Sequence, residues 1–301
     1  MTDLAERTAL PTRLKVSVET ITPELAQVYL ANMDNPRKLR DAVVKRYARD
    51  MANGDWHIGT SAISFDARGV LRDGQHRLQA CIDSGVPLET VVYRGVGEGA
   101  VLNMDRGLKR AWSDVLKARG VPNSANVQSA VVLSWRWDHG LFTEGSARYT
   151  ATNSELEAWL ADHPEFIDCV HEAVLLRRDI GCKVSAMAAF IHRTQVIDPE
   201  ASALMVEMLK TGDVPPANPI RKLRDRTMVN ANRSRGGALA QIVDLAVCCK
   251  AWNAWITGRQ IQLLSWRRGP SVRESFPDLV EQHGSVWPFP DVVARMEGGD
   301  E

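Results

Sequence analysis

The chain has 301 residues, 45% hydrophobic and 25% charged, with 37 basic and 37 acidic side chains. This is an ordinary globular profile with length for one large or two medium domains, and the zero net charge means that any basic surface must be local. No apolar run approaches the length of a membrane span, and the first dozen residues lack the apolar core of a secretion signal.

Residues 1–14 read as a loose tail. Lys15 to Ile21 alternates, with Val16, Val18 and Ile21 expected on one side of a strand. Thr22-Pro23-Glu24 opens a helix, with Thr22 as N-cap and Pro23 at its first position, running to about Asn32. Asn35-Pro36-Arg37 is a turn. A second helix is expected from about Lys38 to Asn53, with Leu39, Val43, Val44, Tyr47 and Met51 at helical spacing and Gly54 as its stop. Ser61 to Phe65 is a short strand, Asp66 to Gly69 a hairpin turn, and Val70-Leu71 the return.

The next stretch, Asp73-Gly74-Gln75-His76-Arg77, is the one around which the chain is organised. An apolar pair ends a strand, Gly74 allows a sharp bend, and Leu78, Ala80, Cys81 and Ile82 then recur with helical spacing up to Gly85. Asp73 is the expected N-cap. The helix start offers amides and a positive dipole end, and His76 and Arg77 add donors, so the corner can hold a phosphate. An ordinary Asp-Gly turn with a surface His-Arg is the alternative. Leu88 to Val96 is a good strand.

From 111 onward the texture becomes helical: about 111–119, 124–139, 153–162, 165–178, 184–196, 199–211, 219–233 and 236–257, with Ile261 to Trp266 as a last short strand and a polar tail from Arg267. Trp135, Trp137, Trp159, Trp252 and Trp255 fall mostly in core positions. The five cysteines at 81, 169, 182, 248 and 249 show no framework spacing, which points to reduced, buried thiols and a cytoplasmic chain. The histidines at 57, 76, 139, 163, 171, 192 and 283 form no zinc-binding spacing. The expected organisation is α+β: a tail at 1–14, a small α/β domain at 15–110, a larger all-helical domain at 111–266 and a tail at 267–301.

The ordered set of Asn35-Pro36-Arg37-Lys38, a helix ending at Asn53-Gly54, the Asp73-to-Arg77 corner and Gly85-Val86-Pro87 before a strand resembles the ParB/sulfiredoxin superfamily. The corner itself matches the signature of the DGQHR-type, ParB-like proteins. The likeness covers about residues 15–110. It implies a nucleoside triphosphate, CTP or ATP, whose phosphates are cradled by Gly74, Gln75, His76 and Arg77, with Arg37 beside the pocket. It also implies a DNA-associated protein of phage or mobile-element type with slow NTP hydrolysis. The position of sulfiredoxin's reactive cysteine is Gln75 here, so sulfinic-acid reduction is not expected, and the motif of the ParB clamp is not recognisable.

Two further constellations bear on that reading. Arg106 and Lys109 could close over the same pocket, and Asp73 with Asp105 could hold Mg²⁺, since that ion takes one or two carboxylates plus phosphates. A metal-dependent phosphotransferase or nuclease, with Asp73, His76 and Arg77 as catalytic groups, is therefore a second expectation, and a non-catalytic regulator a third. Arg221, Lys222, Arg224, Arg226, Arg233 and Arg235 make a local cationic stripe. It reads either as a DNA-backbone contact or as a solvated helix face. The partners expected are a nucleotide, DNA and a second copy of the chain in a homodimer, with no membrane.

Overall fold

In the computed structural model, which describes residues 14–34, 39–59, 61–97, 111–142, 149–230, 237–267 and 274–280, the chain is mixed α/β and mostly helical, with one small sheet. It divides into two compact units, Met1–Arg110 with Arg148–Glu155, and Ala111–Ala147 with Leu156–Glu301.

The first unit is built from β1 (Lys15–Ile21), α1 (Pro23–Ala31), α2 (Asp41–Ala52), β2 (Ile63–Asp66), β3 (Leu71–Asp73), α3 (Gln75–Ser84) and β4 (Leu88–Val96). The sheet order is β1-β4-β2-β3, with β4 antiparallel to β1 and parallel to β2, and β2 antiparallel to β3. Period-two burial along β4 puts Leu88, Thr90 and Val92 inside, with Ile63, Phe65 and Leu71 of the neighbouring strands. These meet Ala26 of α1, Val44 and Met51 of α2 and Leu78, Ala80 and Cys81 of α3 in one apolar core.

Local chemistry explains the element ends. The Thr22 hydroxyl accepts from the Leu25 amide, with Pro23 at the first helical position. α2 begins later than its periodicity suggests. Arg40 is its N-cap in extended backbone, and the Arg40 amide donates to His76 Nε2 across 3.0 Å, which binds that residue to α3 instead of to another helical turn. Ile21 lies on the face of β1 opposite Val16 and Val18, as a three-residue separation in a strand demands. Ile21 is buried, whereas the two valines are exposed.

The second unit contains α4 (Trp112–Ala118), α5 (Ser124–Asp138), α7 (Phe166–Ile180), α8 (Val184–Ile197), α9 (Pro199–Thr211), α10 (Pro219–Asn230) and α11 (Ala238–Ile256); α6 (Asn153–Asp162) runs across the sequence boundary between the units. α8 is its axis: Val184 to His192 is buried without a break, and α5, α7, α9 and α11 pack around it. A helix apolar on all sides has to be enclosed in this way. Trp135, Trp159, Trp252 and Trp255 are core residues, and all five cysteines are free and buried.

One expectation at the C-terminal end is corrected. Residues 261–266 form no strand; two of their carbonyls are taken by lysine side chains, Lys222 Nζ donating to Ile261 O and Lys250 Nζ to Ser265 O. Within the polar tail, residues 274–280 are held in place. Phe276 packs against Trp137, Phe142 and Trp266, and Asn253 holds both Asp278 O and the Val280 amide. No helix among the described residues is long and apolar enough to cross a membrane.

Candidate functional site

The corner begins where β3 ends. Asp73 still pairs with Ser64 across the β2–β3 ladder, so it belongs to the strand. The N-cap of α3 is therefore Gly74, at φ 114° and ψ 0°, and not Asp73 as the sequence suggests. The Gly74 carbonyl accepts from the Arg77 and Leu78 amides, while no side chain caps the helix. Asp73 turns back on the bend, its Oδ1 accepting from the Gly74 amide at 2.7 Å.

Two constraints select glycine at position 74. Its φ lies where side chains are disfavoured. A Cβ built there would also stand 2.2 Å from Ile63 Cδ1 and 3.3 Å from Ile63 Cγ1 and Cγ2. The bend is packed directly onto the floor of β2, which brings the start of α3 close to the sheet.

His76 and Arg77 leave this first turn in different directions. His76 is half-buried and its Nε2 accepts the Arg40 amide, so in the neutral ring the proton sits on Nδ1. Arg77 is only 8% exposed. Its Nη2 donates to the Ala62 carbonyl at 2.9 Å and to Asp73 Oδ2 at 3.1 Å, and its Nη1 is buried with no hydrogen-bond partner. Arg77 thus ties the entry of β2, the end of β3 and the start of α3 together.

Next to the corner, the β2–β3 hairpin is held by an acid that the sequence showed only as a turn residue. Asp66 is buried, and its Oδ1 accepts the Arg68 and Val70 amides at 2.8 and 2.9 Å. Its Oδ2 takes Arg72 Nε and Nη2 at 3.0 and 2.5 Å. Burial alone would raise the Asp66 carboxyl, but the Val70 amide, Arg72 and the Arg68 amide override it and hold it at about 2. Asp34 joins from the end of α1, pairing with both Arg68 and Arg72. The signal available in sequence was the Asp-x-x-Gly spacing of the turn, Asp66 to Gly69.

Both Asp73 oxygens are engaged, one by the Gly74 amide and one by Arg77. Each oxygen keeps a lone pair, and no cluster of three or more metal-ligating side chains occurs among the described residues, which do not include Asp105. Arg37, Asp105, Arg106 and Lys109 lie outside the described residues, as do Arg233 and Arg235.

The described cations of α10 are largely spent inside their own unit. Arg221 pairs with Asp225 and donates to Gly212 O, and Lys222 donates to Ile261 O. Arg224 donates to Leu209 O at 3.0 Å, at the C-terminal end of α9, where the helix dipole favours a cation. Arg226 makes no hydrogen bond or ion pair among the described residues; it lines a cavity with Lys183, Thr227, Asn230 and Asp244.

No protein-family model and no curated protein matches this chain.

Proposed function

We propose that the chain is a nucleotide-binding protein of the ParB/sulfiredoxin type, in which the start of α3 takes the phosphates of a nucleoside triphosphate such as ATP or CTP. The observation that carries this reading is the bend itself. Gly74 is the N-cap of a ten-residue helix, in left-handed backbone, with no side-chain cap. Such a bend presents backbone amides and the positive helix end to an anion. Gln75 and His76 occupy the first turn. Arg77 acts behind them, holding the turn against Ala62 and Asp73. The reading is one of binding, and no hydrolytic step is assigned to Asp73, whose oxygens accept from the Gly74 amide and Arg77.

The arrangement of Arg77 favours a second reading, a regulatory protein that keeps the corner as a brace. Its guanidinium points into the fold and is consumed by a carbonyl and a carboxylate of its own unit. The DNA-associated part of the proposal draws support from the cation content of 221–235, of which Arg226 is the described member that makes no bond. A DNA affinity that falls steeply with salt would support it, and a flat response would remove it.

Calorimetry with ATP, CTP and GTP, with and without Mg²⁺, separates the two readings of the corner. Binding of at least one nucleotide is expected, weakened about tenfold or more in His76→Ala, since a hydrogen bond to a charged group is worth about 1.5–3 kcal/mol. Absence of heat with every nucleotide leaves the brace.

A further inference from the structure

Residues 274–280, Glu-Ser-Phe-Pro-Asp-Leu-Val, lie on the second unit and form neither helix nor strand. Pro277 has no amide to give a ladder, and it biases Phe276 before it toward extended backbone. One backbone bond fixes the start of the segment, from the Glu274 amide to Arg267 O at 3.2 Å. Among the described residues, the other bonds to its backbone come from side chains. Trp266 Nε1 donates to Ser275 O at 3.0 Å, and Trp252 Nε1 to Val280 O at 3.3 Å. Asn253 makes two bonds at once: its Nδ2 donates to Asp278 O at 2.7 Å, and its Oδ1 accepts the Val280 amide at 2.9 Å. A carboxamide carries the same donor and acceptor as a peptide unit, so Asn253 grips this backbone as a neighbouring strand would.

Two side chains of the segment add selectivity to that grip. Phe276 packs among Trp137, Phe142 and Trp266, with ring centroids 5.5, 4.6 and 6.1 Å away. Glu274, two residues earlier, pairs with Lys250, which lies three residues before Asn253 and so on the same face of α11. A groove reads an extended peptide in this way: polar groups hold the backbone, and pockets select alternate side chains. The segment is also shallow. Each of its residues is half-buried or exposed, whereas Trp252, Trp266 and Phe142 beneath it are buried. A surface segment with few buried contacts belongs to the parts of a fold that open locally. Its departure would bare an aromatic groove whose hydrogen-bonding groups are already placed.

We propose that this groove, formed by Trp137, Phe142, Trp266 and the Lys250–Asn253 face of α11, is a docking site for an extended peptide, with residues 274–280 as its resident ligand. The partner it fits is a protein segment of the same chemistry: an acidic residue, a phenylalanine two positions on, and then proline. Such a segment displaces residues 274–280 and takes over their bonds. This inference is independent of the nucleotide reading.

Fluorescence anisotropy with a labelled peptide of residues 274–280 tests the groove on the full chain. Phe276→Ala loosens the resident segment. With an unchanged circular dichroism spectrum, that variant should bind the peptide at least about tenfold more tightly than wild type, because an aromatic anchor carries a large share of such an interface. Asn253→Ala in the same background should abolish binding, and a peptide carrying Phe276→Ala should not bind. Amide exchange on the wild-type chain gives a second readout that needs no variant. The Val280 amide should exchange faster than the amides of α8, and faster again when unlabelled peptide is added. No binding to folded F276A, equal affinity for F276A and wild type, binding that survives Asn253→Ala, or a Val280 amide as protected as α8 overturns the proposal.

Discussion

Replacing Gly74 by alanine perturbs the corner at its tightest point, and the structure separates the cost into two parts. The first is conformational: a residue with a Cβ held in left-handed backbone costs about 1–2 kcal/mol, and φ at Gly74 is 114°. The second is steric, because the added carbon would stand 2.2 Å from Ile63 Cδ1. Ile63 is fully buried, so its side chain has no open space to swing into, and overpacking of this kind costs about 1–3 kcal/mol. Gly74→Ala alone should therefore lose about 2–5 kcal/mol. Ile63→Val deletes the one clashing carbon and by itself costs about 0.5–1.5 kcal/mol. In that background the remaining contacts are at 3.3 Å, and the alanine should cost about 1–2 kcal/mol less than in wild type, a coupling within the range seen for touching residues. Urea titration read by amide exchange in β2 and α3 reports on the sheet unit specifically. Equal costs of Gly74→Ala in both backgrounds would refute the claim that the bend is packed onto β2.

Two other consequences follow from the ion pairs. Asp66 falls from 3.8 to about 2 on folding, so its contribution is fully present above about pH 4 and is lost as pH drops through about 2. The full shift corresponds to about 2.5 kcal/mol; because Arg68 and Asp34 of the cluster are well exposed, about 1–2 kcal/mol is expected. The stability gap between wild type and Asp66→Asn should hold steady near neutral pH and close between pH 4 and 2 in acid titrations followed by circular dichroism. Arg224→Ala removes the donor to Leu209 O and the guanidinium packed over Gly212. It should cost about 1–2 kcal/mol in urea unfolding while leaving the salt dependence of any DNA binding unchanged.

What the sequence disclosed, and what it hid, divides along the range of the interactions. Thr22-Pro23 announces a helix start because a cap acts within three residues, and the cap forms; Asp198 caps the helix at Pro199 in the same way, though its role was not read from the sequence. The strand Leu88–Val96 is legible because burial alternates along it. Asp73 as N-cap fails because a long-range pairing with Ser64 keeps it in the strand, which local cap preference does not register. The stretch 261–266 looks like a strand for the same reason in reverse: its apolar spacing is local, but a strand needs a neighbour, and two of its carbonyls meet Lys222 and Lys250 instead. The cations of α10 show their charge in the sequence but not the carbonyls that Arg224 and Arg221 reach, Leu209 in α9 and Gly212 just after it. Asp66 is the clearest hidden case. A turn aspartate is common, and only the fold brings Arg72 back across the hairpin to bury and ionise it.

Arg77 shows why the corner invites two readings at once. A guanidinium is a rigid fork of five donors, and at this position its Nη2 alone spans Ala62 O and Asp73 while Nη1 is desolvated and unpaired. Leaving a buried donor unsatisfied costs about 1–3 kcal/mol, so a pure brace would be better served by a side chain with fewer donors. The positive charge, by contrast, offsets Asp73, whose carboxylate would otherwise sit beside the first turn of α3 and repel an approaching anion. Pairing Asp73 with Arg77 therefore makes the bend neutral, and it leaves the helix amides and dipole to set the sign of the local field. On the proposed nucleotide reading, such a corner would be stiff and would accept negative charge, the two properties that a phosphate cradle requires of its backbone.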